Sequence, residues 1–186
     1  GSSPAWITKV LTFNIKEKIM TPERHRFVKA YKELHDAGMA LGIGDVSGYA
    51  RSREAVAICL LGHTPPGKKK YAGADAINQQ GQEVEYKSTT QATCQGAYTG
   101  ISVQGTWEEQ EKYLRDEKIL PYEEHYFNRF DNGMLVESWV MTGEQAFDIL
   151  YPKLYNQFHS TSKRKDPRLN ASITWRDIQK YGKKVI

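Results

Sequence analysis

Phe27, Ala30, Tyr31 and Leu34 recur at intervals of three and four, which predicts a helix with one apolar stripe. Thr21 supplies its N-cap, Pro22 its first position and Glu23 an acid for its first turn, and Gly38 is expected to end it. The glycine-rich connector "GIGDVSGYA" lacks the Gly-Lys-Ser/Thr ending of a phosphate loop and reads as a flexible turn. "SREAVAICLLGH" predicts a second helix, capped by Ser52 and closed by Gly62. The period then shortens to two. "ADAIN" and "EVEYKSTT" predict two strands of a hairpin joined through "QQGQ", and "GAYTGISVQ" a third strand. "TWEEQEKYLRDEKIL" returns to helical spacing behind Thr106, with acids where the helix dipole favours them. "YEEHYFNRF" and "MLVESWVM" flank Asp-Asn-Gly, a tight-turn signal that predicts a second hairpin, and Tyr126, Phe130, Val136 and Trp139 are its expected core residues. Thr142 and Gln145, in capping-box spacing, open a further helix, and "ASITW" suggests an edge strand in the tail.

This order is buried most simply as an α/β fold, a central mixed β-sheet flanked by helices. One domain over residues 1–186 suffices, with a basic C-terminal arm from about residue 160.

Composition narrows the class. The 186 residues are 39% apolar and include 11 Tyr, 6 Phe and 4 Trp, enough for one core and not the profile of a disordered chain. The two cysteines form neither a disulfide framework nor a zinc spacing, which fits a reducing, cytoplasmic setting, and Cys59 is expected to pack as a small hydrophobe. No apolar run is long enough for a membrane span. The five histidines are scattered without metal spacing and read as surface or structural groups. The net charge of +4 says little by itself. Its distribution says more: Lys68, Lys69 and Lys70 form one cluster, Lys163, Arg164, Lys165 and Arg168 a second, and Lys183 and Lys184 a third. Any one cluster is compatible with a solvated loop; three together point to an anionic partner, nucleic acid being the commonest. Gln91, Gln95, Gln104, Asn128 and Arg129 carry groups suited to base edges.

The first hairpin carries the candidate chemistry. Alternation places Glu83, Glu85 and Lys87 on one face of a strand and Val84 and Tyr86 on the other. Asp75, between two alanines, is brought by the hairpin within reach of Glu85. Facing carboxylates repel unless a cation joins them, and Mg²⁺ is commonly held by one or two carboxylates with several waters. An ammonium beside such an ion suits Lys87 to orienting an attacking water and offsetting charge on a phosphate.

Asp75 followed after a turn by Glu85-Tyr86-Lys87 resembles the PD-(D/E)XK nuclease pattern of type II restriction endonucleases and many repair nucleases, with Ala74 standing where the family name has Pro. The resemblance covers roughly residues 52 to 105. It implies a restriction-endonuclease-like fold and Mg²⁺-dependent hydrolysis of DNA, with Mn²⁺ as a substitute ion. Asp75 and Glu85 would bind the metal, Glu54 on the preceding helix would assist its shell, and Lys87 would handle the water. Double-stranded DNA is the implied partner, contacted by Lys68, Lys69, Lys70, Lys163, Arg164, Lys165 and Arg168, and the implied assembly is a homodimer matching a two-fold DNA site. A repair or processing nuclease of the same fold, a nucleic-acid-binding module without catalysis, and an interaction domain with merely solvated charges are the alternatives.

Overall fold

The computed structural model describes residues 22–44, 46, 49–67, 73–160 and 168–186, and the chain divides into two compact units, Gly1–Ser47 and Gly48–Ile186, where the sequence alone suggests one domain. Thr21, Lys68, Lys69, Lys70, Lys163, Arg164 and Lys165 lie outside the described residues. In the first unit α1 (Pro22–Ala40) continues two residues past Gly38, its expected end. A close approach explains the glycine there: a Cβ on Gly38 would lie 2.8 Å from the Gly44 carbonyl oxygen and 2.9 Å from a Val46 methyl.

The second unit begins with α2 (Tyr49–Leu61), which starts earlier than expected, so Ser52 lies inside it and does not cap it. Gly62, at φ 67°, closes it. There follow β1 (Ala76–Ile77), β2 (Glu83–Thr89), β3 (Gly96–Ile101), α3 (Trp107–Tyr113), a π-helical turn (Leu114–Lys118), β4 (Glu124–Asp131), β5 (Met134–Thr142), α4 (Gly143–Ser160), β6 (Leu169–Ile173), α5 (Trp175–Tyr181) and β7 (Lys183–Lys184).

Among the described residues the main sheet runs β1-β2-β4-β5-β7, antiparallel except for the parallel β2–β4 pair. It is a mixed sheet flanked by helices, as the order of elements implied. A parallel pair needs a long crossover, and here β3, α3 and the π-helical turn supply it. β3 therefore leaves the main sheet and pairs with β6 in a two-stranded sheet of its own. On one face of the main sheet, Ala57 and Ile58 of α2 pack against Val84, Tyr86, Tyr126 and Phe130. On the other, Phe127 and Met141 meet the aliphatic residues of β3, β6, α4 and α5.

Local signals explain much of this layering. Thr106 and Glu109 form a reciprocal capping box on α3, and Thr142 and Gln145 do the same for α4. Asn132 and Gly133, at φ 47° and 79°, make the two-residue turn between β4 and β5. Three expectations are corrected. Val136 is exposed, on the outer face of β5, while Tyr126 and Phe130 are buried. Cys59 is exposed, and Cys94 is the buried cysteine. The stretch from 168 onward is not an arm: Leu169, Ile173 and Ile178 are completely buried. No helix among the described residues is long and apolar enough to cross a membrane.

The packing of β3 over the main sheet depends on one small residue. A Cβ on Gly96 would lie 2.8 Å from Phe127 Cδ1 and 3.1 Å from Lys87 Cγ, and the ring is fully buried with no room to retreat. Gly96→Ala is expected to cost about 1–3 kcal/mol through overpacking, read as a lower urea midpoint with an unchanged slope.

Candidate active site

The turn between β1 and β2 is built on Asn78. Its side-chain oxygen accepts from the Gln80 and Gln82 amides at 3.0 and 2.9 Å, while Gly81 takes φ 82°. That turn fixes the register, Ala76 opposite Val84 and Ile77 opposite Glu83. Carried one residue further, the register sets Asp75 opposite Glu85. The Asp75 amide donates to the Val84 carbonyl at 3.0 Å, and its carboxylate accepts from the Tyr86 amide at 2.7 Å. The expected meeting of Asp75 with Glu85 thus has a backbone cause.

The parallel pair supplies the next step. Glu85 is level with His125 and Lys87 with Phe127, so the two charged residues of β2 share a face with these buried residues of β4. β3 crosses that face. The Lys87 ammonium lies 4.6 Å from the centre of the Tyr98 ring and pairs with the Glu85 carboxylate. Beneath it, the Tyr98 hydroxyl donates to His125 Nδ1 at 2.8 Å and His125 Nε2–H donates to the Ile119 carbonyl at 3.0 Å. A carbonyl can only accept, so Nε2 carries a proton, and in the neutral ring Nδ1 is left to accept from the hydroxyl. Burial holds His125 down at about 4, consistent with that state.

Asp75, Glu85, Lys87, Tyr98, Lys118 and Tyr122 line one cleft of about 330 Å³. Burial, then the Glu85 charge, pushes the Asp75 carboxyl up to about 7, against the pull of the Tyr86 amide. Glu54 adds to the rise from α2 and Lys87 opposes it. Glu54 does not itself line the cleft; its carboxylate faces Arg51 at 3.4 Å. Among the described residues no three His, Cys, Asp or Glu side chains form a metal-ligand group. The three-acid shell expected of Asp75, Glu85 and Glu54 therefore reduces to two carboxylates in the cleft, with the third acting on Asp75 through its field. Two crowded carboxylates, one of them held toward its neutral form, suit a hard oxygen-seeking cation such as Mg²⁺, which needs no larger protein set.

No family model and no curated protein matches the chain.

Of the basic residues expected at DNA, Arg168 is the described one. It is exposed, and its Nη1 would lie 3.9 Å from a Cβ on Gly100, at the bulge of β3 whose neighbours Thr99 and Ile101 line the cleft. Asn128 and Arg129 are not free to read bases. Asn128 is fully buried and accepts from the Ser138 hydroxyl at 2.7 Å, and Arg129 holds Glu137 at 3.1 Å. Tyr98, His125, Lys118 and Tyr122 were invisible as site residues in the sequence, because only the crossover brings them over β2.

Tyr98→Phe tests the support beneath Lys87. It keeps the ring but leaves His125 Nδ1 as a buried acceptor without its donor. We expect a loss of about 1–3 kcal/mol in chemical denaturation. A variant as stable as the wild type would show that the hydrogen bond contributes nothing.

Proposed function

We propose that this protein is a Mg²⁺-dependent endonuclease of restriction-endonuclease-like fold that hydrolyses phosphodiester bonds in double-stranded DNA. The observation that carries this reading is the convergence of Asp75, Glu85 and Lys87 on one cleft at the edge of a parallel strand pair. Asp75 and Glu85 would hold the ion, and Glu54 would reinforce the negative field around them. When bound, Mg²⁺ supplies an activated water and offsets charge on the scissile phosphate. The chain's own groups do the rest. The Lys87 ammonium, kept over the Tyr98 ring and against Glu85, offers a proton-bearing nitrogen to orient the attacking water and meet charge on the phosphate oxygens. The Tyr86 amide fixes the Asp75 carboxylate, so one of its oxygens keeps its direction. Arg168 stands beside the cleft rim, where a duplex backbone would pass.

A Mg²⁺ titration with supercoiled plasmid is the test. Cleavage that requires the ion supports the reading. Discrete fragments would indicate sequence specificity and fit a homodimer on a two-fold site, smearing would indicate a repair or processing nuclease, and nicking alone a monomer. Salt-dependent DNA binding with no cleavage, indifferent to Mg²⁺ and to Asp75→Asn, would identify a non-catalytic binding module instead.

A further inference from the structure

Two side chains in the cleft stand apart from the acid–lysine group. Lys118 ends the π-helical turn, in which the Ile119 amide reaches back to the Leu114 carbonyl at 2.9 Å, and Tyr122 follows in the connection to β4. Such turns insert one extra residue and occur frequently at functional sites. Both residues line the cleft together with Asp75 and Glu85. The other charges there are engaged: Lys87 by Glu85, and Asp75 by the Tyr86 amide. Lys118 makes no ion pair among the described residues, its ammonium standing 5.3 Å from the centre of the Tyr113 ring. The Tyr122 hydroxyl has no hydrogen-bond partner among the described residues, although the residue is only 8% exposed. Burial and the charges of Glu85 and Asp75 push this phenol up to about 12, so it remains a proton donor at neutral pH.

An unpaired ammonium and an unpaired phenol in one cleft make a site for an anion with more than one acceptor oxygen. We propose that Lys118 and Tyr122 form an anion subsite that grips the non-bridging oxygens of a backbone phosphate, fixing where the substrate strand lies relative to Asp75. The lysine supplies a compact point charge on a flexible stem, and the tyrosine a directional donor on a rigid ring. The subsite rests on the nuclease reading for the identity of its ligand, a nucleic-acid phosphodiester, though not for its affinity for phosphate.

The test measures binding of a labelled DNA duplex by fluorescence anisotropy in EDTA over a range of salt, beside plasmid cleavage in Mg²⁺. Lys118→Gln is expected to weaken binding about tenfold at low salt and to lower the slope of log K against log salt by about one, the signature of one lost phosphate contact. Tyr122→Phe, which keeps the ring, is expected to weaken binding several-fold with the slope unchanged. In cleavage, both should act mainly on KM. Lys118→Arg is expected to restore the slope. Lys112→Gln, on the exposed side of α3 beside Asp116, is the control and should change neither quantity. If the wild type cleaves plasmid and Lys118→Gln keeps the wild-type affinity and slope, the subsite is overturned and the nuclease reading stands. If the wild type binds with a Lys118-dependent slope and no divalent ion supports cleavage, the subsite stands and the nuclease reading falls. Failure of the wild type to bind DNA at low salt overturns both.

Discussion

Lys87→Ala is expected to lower the rate of Mg²⁺-dependent plasmid cleavage by about a thousandfold or more, with the fold retained. The activity loss follows from position. The Lys87 side chain is 19% exposed, set between the Glu85 carboxylate and the Tyr98 ring, and among the described residues no other ammonium shares that place. Lys118, the other lysine of the cleft, is delivered from the π-helical turn and not from β2, so it cannot replace it. The fold should survive because β2 is held by β1 on one side and β4 on the other through backbone bonds that the substitution leaves intact. The lost ion pair is mostly buried, so leaving Glu85 without its partner lowers stability, which the melting curves read, without breaking these backbone bonds. Truncation also vacates the space above Gly96, a small adjustment at the cleft wall. Asp75→Ala should be as damaging to activity, by removing one of the two cleft carboxylates. Single-turnover cleavage at saturating Mg²⁺, with melting curves on each variant, is the measurement. Lys87→Ala cutting within tenfold of the wild type would falsify the assignment of Lys87 to the chemistry.

The parts of the site that the sequence disclosed are those made by short-range geometry. The period of two in "EVEYKST" separates Glu85 and Lys87 from Val84 and Tyr86, and the Asn78 turn brings Asp75 opposite Glu85 only ten residues away. The same locality made the Asn132-Gly133 turn and the caps at Thr106 and Thr142 legible. Choice of a distant partner leaves no such trace. Nothing in "GAYTGI" says that β3 will pair with β6, some seventy residues later, and so cross above β2. Hence Tyr98 could not be placed under Lys87, nor His125 under Tyr98. The helix α5 was hidden for a different reason. Its seven residues are too few for a periodic signal, and its Thr174–Asp177 capping box sits in a stretch dominated by basic charge. Val136 and Cys59 show the limit of composition: apolar character permits burial without requiring it, and each lies on the outward side of its element. Glu54 shows the limit of a motif. The acid is on the expected helix and its field reaches Asp75, yet it turns to Arg51 and does not enter the cleft.

Asp75→Asn, measured without divalent ions, is expected to be more stable than the wild type at pH 8 by about 4 kcal/mol and close to it near pH 4. The cause is burial of the Asp75 carboxyl first and its crowding by Glu85 second. Asp75 titrates at about 7 in the folded chain against 3.8 as its ordinary value, chiefly through burial and the Glu85 charge. Between those two values the folded state keeps a proton that the unfolded state has released, so stability falls as pH rises from about 4 to about 7. Asparagine keeps an oxygen for the Tyr86 amide and carries no charge, which removes this slope. His125 acts in the opposite sense. Its folded value of about 4 lies below its ordinary 6.5, so its contribution is complete above 6.5 and is lost as pH falls toward 4. The two slopes overlap and partly cancel in the wild type, so the informative quantity is the difference in urea stability between wild type and Asp75→Asn at each pH. That difference should grow from about zero at pH 4 to its full size above pH 7. Millimolar Mg²⁺ should then raise the wild-type midpoint at pH 8, because a cation between the two carboxylates relieves the repulsion that the charged form meets in its absence, and should leave Asp75→Asn close to its metal-free value. A flat difference curve would mean that neither burial nor the Glu85 charge holds a proton on Asp75, and the repulsion that a cation between the two carboxylates would relieve would be absent.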